Sequence, residues 1–158
     1  MKKKLFFFLF TIFCFKISSS EGLDEYYLHP VGPSASSFGI TGVIELPNAR
    51  FMDEASISWN FSGSFPYEYT SVTASPFSWL EASYRYTEIK NALYGPSAYS
   101  GNQTLKDKGF DIKIGLLKES YNVPALAVGL TDIAGSGEFG SEYLVATKRF
   151  GSLDFTFG

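Results

Sequence analysis

The chain of 158 residues is long enough for one hydrophobic core, and it is 45% hydrophobic, 18% aromatic and 18% charged, with a formal net charge of −3. Charged residues fall below the roughly one quarter usual in soluble domains while aromatic ones are abundant, so many Tyr and Phe side chains need amphipathic surroundings. The acidic balance excludes a nucleic-acid binder, which requires a basic patch.

Residues 1–20 read as a signal peptide: Lys2, Lys3 and Lys4 open it, residues 5–15 form an apolar run, and Ser18 and Ser20 stand at small-residue positions before Glu21. The run is too short for a membrane-spanning helix, which needs about twenty residues. Cys14 follows Phe13, which is too large for the small residue ahead of a lipid-modified cysteine, so lipoprotein processing is not expected. Removing this segment takes the only cysteine, four of thirteen basic residues and no acidic ones, leaving nine against sixteen and a net charge of −7. The mature chain then has no thiol, disulfide or cysteine metal site.

Residues 21–37, with Pro30, Pro33 and a Ser-rich end, lack periodicity and read as a flexible leader. His29, the only histidine, falls there, away from any residue that would share a metal or complete a Ser-His-Asp arrangement. From residue 38 onward strand signals dominate. Residues 39–46 read as a non-spanning strand or plug-like piece. Seven longer strands are expected at 55–62, 68–75, 79–88, 109–118, 125–131, 141–149 and 153–157.

Alternation is plain in several of them. Ala55, Ile57, Trp59 and Phe61 alternate with small polar residues; Leu80, Ala82, Tyr84 and Tyr86 with Glu81, Ser83, Arg85 and Thr87; Phe110, Ile112, Ile114 and Leu116 with Asp111, Lys113 and Gly115. Leu126, Val128 and Leu130 alternate with Ala125, Ala127 and Gly129. One face is apolar and the other small or charged, over lengths that suit a tilted strand crossing a bilayer. After the first connection, tight turns alternate with longer loops, as they do when the loops lie outside the cell. Seven spanning strands are odd in number and fewer than eight, and an open sheet edge is costly in lipid, so the chain is expected to be the N-terminal part of a larger barrel.

Little catalytic chemistry is visible. Residues 135–140 spell the GxGxxG dinucleotide fingerprint, but strand rather than helix follows, so these glycines belong to a hairpin loop. Asn60 and Asn102 open sequences with the letters of glycosylation sites, the first inside an expected strand. Glu81, Arg85, Asp111 and Lys113 share the polar face of neighbouring strands. They suit either a lattice of ion pairs inside a barrel or a polar track contacting a glycan. Trp59, Tyr84, Tyr86 and Tyr143 are expected to face lipid or form its aromatic girdle. No catalytic residue, cofactor site or metal site is expected.

The blocks SFGITGVIELPNAR (37–50), PFSWLEASYRYT (76–87), DIKIGLLKES (111–120), SEYLVATKRFG (141–151) and LDFT (153–156) resemble the YjbH (YbjH) family of exopolysaccharide-associated outer-membrane proteins. The resemblance covers most of 37–158 and implies a Gram-negative outer-membrane β-barrel linked to production or export of an exopolysaccharide or capsule-like polymer. It supplies no catalytic residues. Many members are lipoproteins, and the sequence around Cys14 departs from that. The expected function is therefore a non-enzymatic outer-membrane protein whose partners are lipid, a polysaccharide and other envelope export proteins. A secreted carbohydrate-binding β-sandwich is the alternative; a periplasmic hydrolase lacks an acid-base or nucleophile constellation.

Overall fold

The computed structural model describes residues 32–158. The expected signal peptide, Cys14, His29 and the first part of the leader lie outside the described residues. Alternating residues of opposite polarity give seven antiparallel strands, each paired with its neighbours in sequence: β3 (Ser56–Ser64), β4 (Tyr67–Phe77), β5 (Leu80–Leu93), β6 (Thr104–Leu117), β7 (Ala125–Thr131), β8 (Ser141–Phe150) and β9 (Leu153–Phe157). The protein is all-β, an antiparallel meander curled into a half-barrel. Ahead of it, β1 (Gly42–Val43) and β2 (Leu46–Pro47) form a separate two-stranded ribbon. This ribbon occupies the stretch expected to be plug-like.

Connections at 65–66, 94–103 and 132–140 lie at one end of the sheet, and those at 78–79, 118–124 and 151–152 at the other. Two strands extend farthest beyond their expected bounds. β5 and β6 each run for 14 residues and shorten the expected 89–108 loop to 94–103, which holds one helical turn at Ser97–Ser100. Main-chain pairing carries them there: Ile89 pairs with Leu105 and Leu93 with Thr104. Among the described residues, no helix is long and apolar enough to cross a membrane, which says nothing about crossing with strands.

Polarity is inverted relative to a soluble domain. The largest fully buried side chains include Arg85, Lys113 and Glu81, whereas Trp59 is 79% exposed and Ile57, Phe61, Phe110, Leu144 and Phe155 are exposed with it. Hydroxyl groups and charges line the inner face, and apolar groups cover the outer one. Trp59 and Tyr84 stand on the outer face as expected, with Tyr86 half-buried on the same side.

Tyr143 does not. It has the parity of Val145 and Thr147, both buried on the inner face, and it pairs across the sheet with Gly129. A side chain at Gly129 would collide with the Tyr143 ring, so the glycine is what gives the ring its place. The expectation that Tyr143 faces lipid is corrected accordingly.

Candidate functional site

Small side chains on the inner face let another stretch of main chain lie close to it. Ser58, Asn60 and Ser62 of β3, Ser71, Thr73 and Ser75 of β4 and Ser83 of β5 all belong to that face. Residues 34–52 cover it. Ala35 bridges Thr41, Ser36 is buried, and the Ser37 carbonyl accepts from Asn60 Nδ2 (3.3 Å) and Ser62 Oγ (2.7 Å). The end of the stretch grouped with the leader is thus bonded into this plug. Gly39 has φ +98°, and a side chain there would run into Ser71, so both backbone shape and proximity require glycine. Farther along, the Ala49 amide donates to Thr147 Oγ1 at 2.8 Å. Ala49 joins Ala125, Ala127 and Val145 in a small apolar cluster, with Phe51 and Tyr143 packed against it.

The four charged residues singled out in the sequence come together as two buried ion pairs. Glu81 and Lys113, neither accessible to solvent, approach to 2.9 Å. The plug completes this pair: Glu81 accepts from the amides of Thr41 (3.1 Å) and Met52 (2.8 Å) and lies 2.9 Å from the Thr41 hydroxyl. Lys113 donates to the carbonyls of Thr41 (3.2 Å) and Arg50 (2.6 Å) and to the Thr41 hydroxyl, with its ammonium 4.5 Å from the centre of the Phe51 ring. A buried charge is tolerable when paired and hydrogen-bonded, and both of these are.

The second pair is looser. Arg85 Nη2 and Asp111 Oδ1 are 3.3 Å apart, and the same oxygen accepts from the Asp132 amide at 2.8 Å. The Arg85 guanidinium lies between two rings, 4.8 Å from the centre of Phe38 and 5.3 Å from that of Phe139. Arg85 Nε and Asp111 Oδ2, though buried, have no partner among the described residues.

A third cluster ties the plug to the turn end of the sheet. Arg50 donates to Glu119 (2.5 Å) and to both oxygens of Asp154 (3.0 and 2.7 Å), while Glu119 also accepts from the Arg149 amide (2.8 Å) and faces Lys148 at 3.2 Å. Partial burial alone would raise the Glu119 carboxyl, but the Arg149 amide and the Arg50 and Lys148 side chains hold it below its ordinary value of 4.5. Burial likewise pulls Arg50 down, and its carboxylate partners outweigh that and raise it.

Sequence reasoning missed Thr41, Asp107, Asp132, Phe38 and Phe139 as partners of these groups. Asp107 fell in an expected loop, and Asp132 follows the end of β7, where no alternation marks it. Among the described residues, no three His, Cys, Asp or Glu side chains are gathered so as to hold a metal ion. The arrangement can bind and orient polar groups.

No solved structure matches the chain. The chain is 46% identical over 141 residues to the protein named "Uncharacterized lipoprotein YjbH" of Escherichia coli (strain K12), an alignment covering 89% of this chain and 20% of that protein. It therefore spans about one fifth of the length of the curated relative it matches. The model of the YjbH family, described as "Exopolysaccharide biosynthesis protein YbjH", matches residues 34–158, and the chain belongs to that family.

Proposed function

We propose that this chain is part of a non-enzymatic outer-membrane β-barrel protein that assists production or export of an exopolysaccharide. The observation that carries the reading is the inverted polarity of the sheet: Arg85, Lys113 and Glu81 inside, and Trp59, Ile57 and Phe61 outside. Water does not favour that distribution, whereas hydrocarbon outside a polar lumen does. The family's description supports a link to exopolysaccharide biosynthesis, and the lipoprotein name of the Escherichia coli relative supports an envelope location. The alternative, a carbohydrate-binding sandwich, would bury its apolar face against a second sheet. Here the only other sheet among the described residues, β1 with β2, belongs to the plug on the polar side.

The test is assembly of the full-length protein. Ile112 lies half-buried on the outer face, opposite Leu130 of β7. Ile112→Arg is expected to cost about 2–4 kcal/mol if that face meets the bilayer midplane, and so to reduce the protein recovered in detergent extracts of outer membranes, with Ile112→Leu close to the parent. Equal recovery of both variants, or a parent protein soluble without detergent, overturns the proposal.

A further inference from the structure

The Arg85 end of the inner face holds more negative charge than it neutralises. Asp107, Gly109 and Asp111 follow one another on the inner side of β6 and pair with Thr87, Arg85 and Ser83 of β5. Gly109 leaves a gap, and the Asp132 carboxylate sits over it: a methyl group built at Gly109 would lie 2.8 Å from Asp132 Oδ1. Asp132 Oδ2 accepts from the Phe139 amide at 3.3 Å, and the Asp132 amide donates to Asp111. Three carboxylates thus lie along the stretch of inner face that carries one guanidinium, which only Asp111 reaches at ion-pair distance, and Asp107, Asp111, Asp132 and Arg85 are all more than nine-tenths buried. The neighbouring Lys106 and Lys108 are exposed, on the opposite side of β6.

Hydrogen bonding is unfinished in the same place. Asp107 Oδ2, Asp111 Oδ2 and Asp132 Oδ1 accept from nothing among the described residues, and Thr87 Oγ1 and Arg85 Nε are also without partners. The Glu81–Lys113 pair, equally buried, is completed by the plug, so burial of charge in this sheet does not by itself leave atoms bare. Acceptors outnumber donors, two negative charges lack a counter-charge, and the carboxylates are not gathered on one point as a metal would need. These features fit a ligand broader than an ion, rich in donors and positively charged. Phe139, the far end of the 132–140 loop, closes the site, its ring 6.0 Å from Tyr67 and 6.4 Å from Tyr69. Aromatic rings beside convergent polar groups suit a ligand with an apolar body and a polar rim, as a sugar ring has.

We propose that Arg85, Thr87, Asp107, Asp111 and Asp132 form a sugar-binding site beneath the 132–140 loop, selective for amine-bearing glycans over uronic-acid ones. The inference rests on the reading of the protein as one that handles exopolysaccharide.

The experiment is calorimetric titration of the detergent-solubilised full-length protein with a glucosamine hexamer, a cellulose hexamer and a galacturonic-acid hexamer, in mildly acidic buffer where the amines are protonated. The glucosamine hexamer is expected to bind at least about ten-fold more tightly than the galacturonate one, and the double variant Asp107→Asn, Asp132→Asn to lose that preference. Equal affinity for the three hexamers, no binding of the glucosamine hexamer, or an unchanged preference in the double variant overturns the site. Should the double variant fail to assemble, Asp132→Asn alone carries the test, because Asp132 lies beyond the end of β7 and an amide still accepts from Phe139. Deleting the whole gene separates the two levels. Unchanged exopolysaccharide yield refutes the broader reading and the site with it, whereas a loss of yield together with no charge preference refutes the site alone.

Discussion

Two ion pairs on neighbouring stretches of β5 and β6 have similar burial and opposite characters. Glu81 and Lys113 are wrapped by main-chain groups of Thr41, Arg50 and Met52, so that both charges have several partners. Arg85 and Asp111 touch once, at 3.3 Å, and each keeps a buried polar atom without a partner. The plug makes the difference, because it seats on the first pair and only Phe38 reaches the second. One pair is saturated with hydrogen-bond partners and the other is not, although alternation in the sequence made the four residues look equivalent.

The contrast breaks most visibly at Lys113. Lys113→Met should destabilise the folded protein by about 3–5 kcal/mol, since it leaves the buried Glu81 carboxylate without its counter-charge, and exchanging Glu81 for Leu in the same chain should recover part of the loss. The denaturation midpoint in detergent measures both. A smaller effect is expected at the plug's outer anchor. Because the Glu119 carboxyl is held below its unfolded value, its contribution is full above that value, near 4.5, and is lost as pH falls through the lower folded value. The ion pairs are partly exposed, so the contribution is under about 1 kcal/mol. Hydrogen exchange at residues 48–52 should accelerate below that pH, and Glu119→Gln should remove the dependence. Smallest of all is Asp111→Asn, which keeps an acceptor for the Asp132 amide and relieves excess negative charge. Its midpoint should stay within about 1 kcal/mol of the parent, and a loss as large as that of Lys113→Met would erase the distinction between the pairs.

Strand existence and facing were legible because a period of two sorts side chains without reference to partners. Ile57, Trp59 and Phe61 against Ser58, Asn60 and Ser62 need no tertiary information, and neither do Glu81, Arg85, Asp111 and Lys113. Tyr143 was misassigned because both faces of β8 mix polar and apolar residues, so only the cross-strand register with Gly129 decides its side. The ends of β5 and β6 escaped because main-chain pairing continues past the stretch where side-chain alternation marks the strands. Within the site, which charges are satisfied was invisible. Thr41 lies 40 residues from Glu81 and 72 from Lys113, and apart from the Thr41 hydroxyl the plug bonds to them through backbone groups that every sequence carries.

The attachment of residues 34–52 also joins distant parts of the chain. The segment precedes β3, yet it is bonded to side chains on β5, β6 and β8. Its seat exists only once those strands have paired, so the main-chain partners of Glu81 and Lys113 belong to the assembled sheet and not to any single hairpin.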